Sequence, residues 1–300
     1  MSKISVKRID NQNNDLTVVN AARVSFDKIK NKITNRDIRL IRYLAEHNHF
    51  TPFTHVRFGA MTVMSSQQDF QNMAEFMGCP ERSADMIFRK EDDSKYYIEH
   101  SLYGWLKNKI PIKNYYRIVR AISEKCPHSC LTLMHKSELS LIQGIEPEEL
   151  VETDSKTVLI EAPIFILRQL MKSTVGCTYN EVSRRYVDSQ PSFYLIDRFK
   201  ARPDDSIKQG AGKYLPTEKQ EKYIRLHLKN TKESLSIYNR FLKDVAPEEA
   251  RVNLTQNMMS KVWLTASKRA FDRILLLRSS PDAQTQIREL ASALKIALQE

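Results

Sequence analysis

The stretch RQLMKSTVGCTYNEVSRR sets Arg168, Lys172, Arg184 and Arg185 around one carboxylate, Glu181, with hydroxyls at Ser173, Thr174 and Ser183. Guanidinium and hydroxyl donors at this density suit a dianionic phosphate, which two or more arginines hold together by charge-assisted hydrogen bonds. Two more arginines stand out. Arg278 ends the apolar run ILLLR, where a guanidinium is costly to desolvate unless it gains a partner. Arg251 follows PEEA, so it either pairs with Glu248 or reaches elsewhere. The chain has seven Gly and neither a dinucleotide fingerprint nor a P-loop. Any bound phosphate must therefore be held by side chains.

Other chemistries are weaker. The pair in CPHSC, Cys126 and Cys130 with His128 between them, has no second ligand pair at zinc-like spacing. With Cys79 and Cys177 these read as free thiols, and no metal site is expected. The net charge of +11 points to anionic partners. The basic residues are dispersed and not interleaved with aromatics, so nucleic acid is not expected among the partners. No window is long and apolar enough for a membrane span, and MSKISVKRIDNQNNDL lacks an apolar leader. A cytoplasmic protein is expected, bacterial or from an infected host cell.

The elements that position these residues follow from periodicity. KISVKRID alternates as a strand, TNRDIRLIRYLAEHNHF has helical spacing, and FTHVRFGAMTVM is rich in strand formers. KTVLIEAPIFILRQLMK begins as a strand and turns helical at Pro163, since a helix's first turn needs no donor there. Arg168, Gln169 and Lys172 are then expected on that helix, with Arg168 and Lys172 on one face. Residues 65–154 read as mostly helical, including YYIEHSLYGWLKN, and as an insertion between two strands of one sheet. Two long helices are expected at the end, EKQEKYIRLHLKNTKESLSIYNRFLKD and NMMSKVWLTASKRAFDRILLLR, followed by PDAQTQIRELASALKIAL.

In order along the chain stand VNAARVSF, LAEHNHFTPFTH, APIFILRQLMK, NEVSRRYVDSQPSFY, KQGAG, VAPEEAR and LLLRSSPDAQTQIRE. This ordered set resembles the flavin-dependent thymidylate synthases, the ThyX family. The resemblance implies an α/β (α+β) fold with a central, mostly antiparallel sheet flanked by long helices. It also implies one domain over 1–300 carrying the 65–154 insertion, and a homotetramer with FAD at subunit interfaces. The implied reaction moves a one-carbon unit from 5,10-methylenetetrahydrofolate to C5 of dUMP. Reduced flavin supplies a hydride, NADPH reduces the flavin, and dTMP is the product.

Residue by residue, the resemblance assigns Gln169, Lys172, Glu181, Ser183, Arg184, Arg185, Arg251 and Arg278 to dUMP. Arg251 matches a family arginine that reaches in from a neighbouring subunit. Arg278 is the catalytic candidate, set against the uracil ring to favour the ionised N3. To FAD it assigns His49, Thr51, Lys172, Ser173, Thr174, Glu181, Ser267, Arg269 and Arg273. One departure matters. Where the family has an Arg-His-Arg triplet, this chain has Lys172, Ser173 and Thr174, with one extra residue before NEVS. A lysine attracts phosphate but lacks the planar fork of an arginine. Two alternatives stay open on these grounds: a dUMP hydroxymethylase giving 5-hydroxymethyl-dUMP, and an inactive nucleotide-binding homologue.

Overall fold

The computed structural model of the chain describes residues 3–10, 12–203 and 210–299; Lys208 and Gln209 of KQGAG lie outside them. Its strands are β1 (Ser5–Ile9), β2 (Arg57–Val63), β3 (Ile87–Lys90), β4 (Lys95–Ser101), β5 (Leu150–Val151), β6 (Lys156–Pro163), β7 (Cys177–Glu181) and β8 (Met259–Ala266). They form two antiparallel sheets, in the orders β1-β6-β8-β7 and β3-β4-β2-β5. The mixed α/β class with antiparallel sheets agrees with the sequence reading; the number of sheets does not.

The first sheet buries Val158, Ile160, Ala162, Val262 and Leu264 against helices Ile164–Leu170, Lys268–Arg278 and Thr285–Gln299. The other face is also covered, since Trp263 and Leu159 pack with Ala21 and Val24. This explains one correction. NMMSKVWLTASKRAFDRILLLR is not one helix: its first part is β8, and the helix starts at Lys268. A strand buried on both faces is an unbroken apolar run, which periodicity cannot separate from a buried helix. The preceding helix, Thr217–Phe241, appears as read.

The second correction concerns 65–154. It supplies β3, β4 and β5 as well as helices, and YYIEH is strand β4, with the helix beginning only at Leu102. Its flanking strands, β2 and β6, lie in different sheets, so it does not sit between two strands of one sheet. Instead it builds a second core around Phe58, Ile98, Trp105, Ile118 and Ile122.

Pro163 marks the strand–helix junction as expected, as the last residue of β6 and the cap of helix Ile164–Leu170. The backbone N–H groups of Ile164 and Phe165, which have no partner within their own helix, donate to the carbonyls of Met258 and Gln256 at 2.9 and 3.1 Å. The helix is thereby fixed beside the start of β8. It ends at Leu170, two residues earlier than the sequence suggested, so Lys172 is not on it.

Candidate functional site

At the end of β7 the chain turns sharply into Ser183–Tyr186. The Ser183 N–H donates to the Ser25 carbonyl at 3.0 Å, and Ser25 Oγ donates to the Glu181 carbonyl at 3.1 Å. Asn180 Nδ2 donates to the Ala21 carbonyl at 2.7 Å. These bonds clamp NEVSRR onto VNAARVSF, two segments far apart in sequence. Between them opens a cavity of about 390 Å³, lined by Glu181, Ser183, Arg184, Arg185 and Arg251 with Ser25, Ser260, Ile164 and Met258. Five of the eight residues assigned to the nucleotide thus share one cavity.

The charge in this cavity is unbalanced, with three guanidiniums against one carboxylate. Among the described residues, none of Arg184, Arg185 and Arg251 has a carboxylate within ion-pair distance. Arg251 Nε donates to the Glu248 backbone carbonyl at 3.1 Å, not to its side chain. Arg184 donates to the Ser189 carbonyl, and the Arg185 guanidinium lies 4.9 Å from the Tyr186 ring centroid. Burial raises the Glu181 pKa above the usual carboxylate range, opposed by a bond from Ser260 and by the Arg168 and Arg251 charges. Arg251, which the resemblance brings in from a neighbouring subunit, lines this cavity of its own chain.

Gln169 and Arg278 form a separate pair. Arg278 Nη2 donates to the Gln169 carbonyl at 2.7 Å, and the Gln169 side chain donates to Gln284 at 2.6 Å. Arg278 Nε is buried with no hydrogen-bond partner among the described residues. Neither residue lines the arginine cavity. The opening next to Gln284 is larger, about 1120 Å³, but holds none of the assigned residues.

A second cationic cavity, about 840 Å³, lies between helix Lys268–Arg278 and strand β3. Ser267, Arg269 and Arg273 line it, three of the nine residues assigned to FAD. Ser267 caps the helix, its Oγ accepting from the Ala270 N–H at 3.2 Å. Arg273 Nη2 donates to the Val175 carbonyl at 2.7 Å, tying the helix to the turn after Thr174. Gly176 completes that turn with φ +71°, and a Cβ there would come within 3.3 Å of Ala270 Cβ and Ser267 Oγ. A helix start, two arginines and a glycine-tight turn fit the pyrophosphate of a dinucleotide. Met86 and Ile87 add apolar surface suited to a ring. The donor set therefore fits a flavin dinucleotide.

The other six residues assigned to FAD do not line the second cavity. Ser173 is buried, its carbonyl accepting from Tyr179 Oη at 2.9 Å. Lys172 and Thr174 are exposed on either side of it, and Thr174 precedes Val175 at the cavity rim. Glu181 belongs to the arginine cavity and not to the second one. His49 and Thr51 are exposed and line neither cavity.

Ser25, Ser260, Arg57, Ile87 and Arg89 were not singled out in the sequence. Only the Ser25 motif carried any signal. Among the described residues no cluster of His, Cys, Asp and Glu could hold a metal, and no helix is long and apolar enough to cross a membrane. Cys126 and Cys130 are buried free thiols, and burial raises both pKa values.

Comparison with known proteins adds an independent line. The family model described as thymidylate synthase complementing protein matches residues 135–300. Over 94% of its length the chain is 25% identical to the flavin-dependent thymidylate synthase of Aquifex aeolicus, spanning 93% of that protein. It is 30% identical over 142 residues to the enzyme of that name from Thermosipho melanesiensis, and 32% identical over 134 residues to that from Streptomyces coelicolor. Those two matches cover 47% and 43% of this chain and span 60% and 53% of the relatives' lengths. Among solved structures, the UMP/dUMP methylase PolB from Streptomyces cacaoi bound with 5-Br UMP aligns with a TM-score of 0.47 at 20% identity. That alignment covers 99% of this chain and 89% of the other.

Proposed function

The chain belongs to the thymidylate synthase complementing protein family, and from that premise we propose that it is a flavin-dependent thymidylate synthase. It converts dUMP to dTMP with 5,10-methylenetetrahydrofolate as one-carbon donor and NADPH as reductant. The observation that carries this reading is the arginine cavity, whose three guanidiniums against one carboxylate match a phosphate dianion.

In this reading Arg185 and Arg251 hold the phosphate, and Ser183 adds a hydroxyl donor. The raised pKa of Glu181 keeps it a weaker competitor for the arginines than an ordinary carboxylate, because burial penalises its charged form. Ser267, Arg269 and Arg273 hold the flavin dinucleotide, which when bound supplies the hydride. Arg278 lies against the uracil ring, where its charge favours the ionised N3 and enriches C5 in electrons. Because Gln169 and Arg278 do not line the phosphate cavity of their own chain, a second copy brings them to it. That supports the homotetramer as the working form. The names of the relatives favour dTMP as the product over 5-hydroxymethyl-dUMP.

Purified protein is expected to be yellow and to release tritium from 5-tritiated dUMP when given methylenetetrahydrofolate and NADPH. A colourless protein that leaves dUMP untouched contradicts the proposal. A product heavier than dTMP by one oxygen replaces it with the hydroxymethylating reaction.

A further inference from the structure

The cavity beside helix Lys268–Arg278 has a second wall that family resemblance did not assign. It comes from residues 65–154: Asp85, Met86, Ile87 and Arg89 line the cavity opposite Ser267, Arg269 and Arg273. The register of β3 on β4 pairs Ile87 with Glu99 and Arg89 with Tyr97, while Phe88 pairs with Ile98. Alternation then puts Phe88 on the core face, where its ring stacks on Tyr96 at 5.2 Å. Ile87 and Arg89 fall on the opposite face.

Ile87 belongs to none of the apolar clusters of the described residues, although it is only partly exposed. The Arg89 guanidinium lies over Tyr97, 4.2 Å from the ring centroid, and pairs with Asp154 and Glu91. An apolar side chain without a core next to a planar guanidinium is a surface for stacking a planar ring.

The wall is rigidly held. Arg57, almost fully buried, donates to Glu99 at 3.0 Å, to the Asp85 carboxylate at 2.9 Å and to the Asp85 carbonyl at 2.6 Å. His100 closes on Asp85 from the other side at 2.8 Å. These contacts fix the corner leading into Ile87.

We propose that Ile87 and Arg89 form the face against which a planar ring of the flavin dinucleotide stacks, while the start of helix Lys268–Arg278 holds its pyrophosphate. This rests on the flavin reading of the cavity. It gives 65–154 a role in cofactor binding, with Arg57 as a positioning residue behind the wall.

The test is FAD affinity, measured by flavin fluorescence quenching on the full chain stripped of flavin. Three wall variants are compared with Arg273→Ala: Ile87→Ala, Arg89→Gln and Ile87→Trp. Ile87→Trp enlarges a side chain facing the opening and needs no core space. Each wall variant is expected to raise the FAD Kd roughly tenfold, the scale of a well-placed contact residue. FMN and ADP, titrated separately, identify the ring: the fragment whose affinity falls carries the stacked one. If Arg273→Ala weakens FAD and the wall variants leave FAD, FMN and ADP unchanged, the stacking face is refuted while the flavin cavity stands. If Arg273→Ala also has no effect, the flavin reading of the cavity falls, and the inference with it.

Discussion

The two sheets treat charge in opposite ways. In the second sheet cations are matched by anions: Arg57 with Glu99 and Asp85, and Arg89 with Asp154 and Glu91. At the end of the first sheet, Arg184, Arg185 and Arg251 line a cavity with one half-buried carboxylate, Glu181, and none of them forms an ion pair among the described residues. Glu99 is fully buried, and burial works to raise its pKa. Arg57, Ser155 and Tyr97 outweigh that and hold it below its ordinary value. Glu181, also largely enclosed, is shifted the other way. Paired charge holds architecture together, whereas unpaired charge in a cavity is what a ligand must neutralise.

Arg57→Leu should give the largest loss of stability. It leaves Glu99 buried without its cation, a change that costs about 3–5 kcal/mol. Thermal denaturation of the variant reads this as a large fall in Tm. An unchanged Tm means that Glu99 takes up a proton or a new partner, and the contrast between the sheets weakens.

Arg251→Ala should behave in the reverse manner. Its stability should stay within about 0.5 kcal/mol of the parent, as for a surface site. Its dUMP affinity should fall by about 10- to 100-fold, the value of one charge-assisted contact. Calorimetric titration with dUMP checks the second figure, and a large drop in Tm counts against the assignment.

His55 joins the sheets and gives a pH handle. It is fully buried, its Nδ1 lies 2.7 Å from the Thr265 hydroxyl, and burial pushes its pKa from 6.5 down to about 3 despite a bond with Asn180. The unfolded chain therefore takes up a proton near pH 6.5 that the folded protein refuses. The stabilising contribution is complete above that pH and drains as pH falls from 6.5 towards 3. The slope is about 1.4 kcal/mol per unit, or roughly 2 kcal/mol by pH 5. Asp37 and Asp85 lose their own contributions only at more acid pH. For both, burial works to raise the pKa, but the bonds from Lys30, Thr34 and Arg23, and those from His100 and Arg57, hold it low. Urea denaturation of His55→Gln between pH 7 and 5 should lack the slope. A slope equal to the parent's assigns it to other groups.

The smallest effect is expected at Gly176→Ala. A left-handed φ with Ala270 and Ser267 in contact range should cost about 1–2 kcal/mol. FAD binding should weaken with it, because the turn borders the second cavity. Unchanged flavin affinity in a destabilised variant separates the turn from the site.

In the first sheet β1 and β6 could be read before folding, whereas β8 passed for a helix and β7 carried no strand signal. Pro163 announced the strand–helix junction, and the density of arginine after it pointed to the residues that now line one cavity. The second sheet could not be read in this way. Strand β4 is buried from Tyr96 to Ser101, so no alternation was left to see. Ile87 and Arg89 share a face only once β3 pairs with β4. Arg57 looked like one more residue of a strand, because its partners Asp85 and Glu99 come from other segments. The triplet at Lys172–Thr174 was visible as a departure. That Ser173 turns inward under Tyr179, away from either cavity, depends on where the helix stops.

In the proposed reading the arginine cavity binds a nucleotide through its phosphate. Titration of the protein with dUMP and with deoxyuridine, in parallel with Arg185→Ala and Arg251→Ala, tests it most directly. The parent should prefer dUMP by about 100-fold or more, as expected for two charge-assisted contacts, and each variant should lose at least about tenfold of that preference. Equal affinity for dUMP and deoxyuridine, or a preference that survives both substitutions, contradicts it.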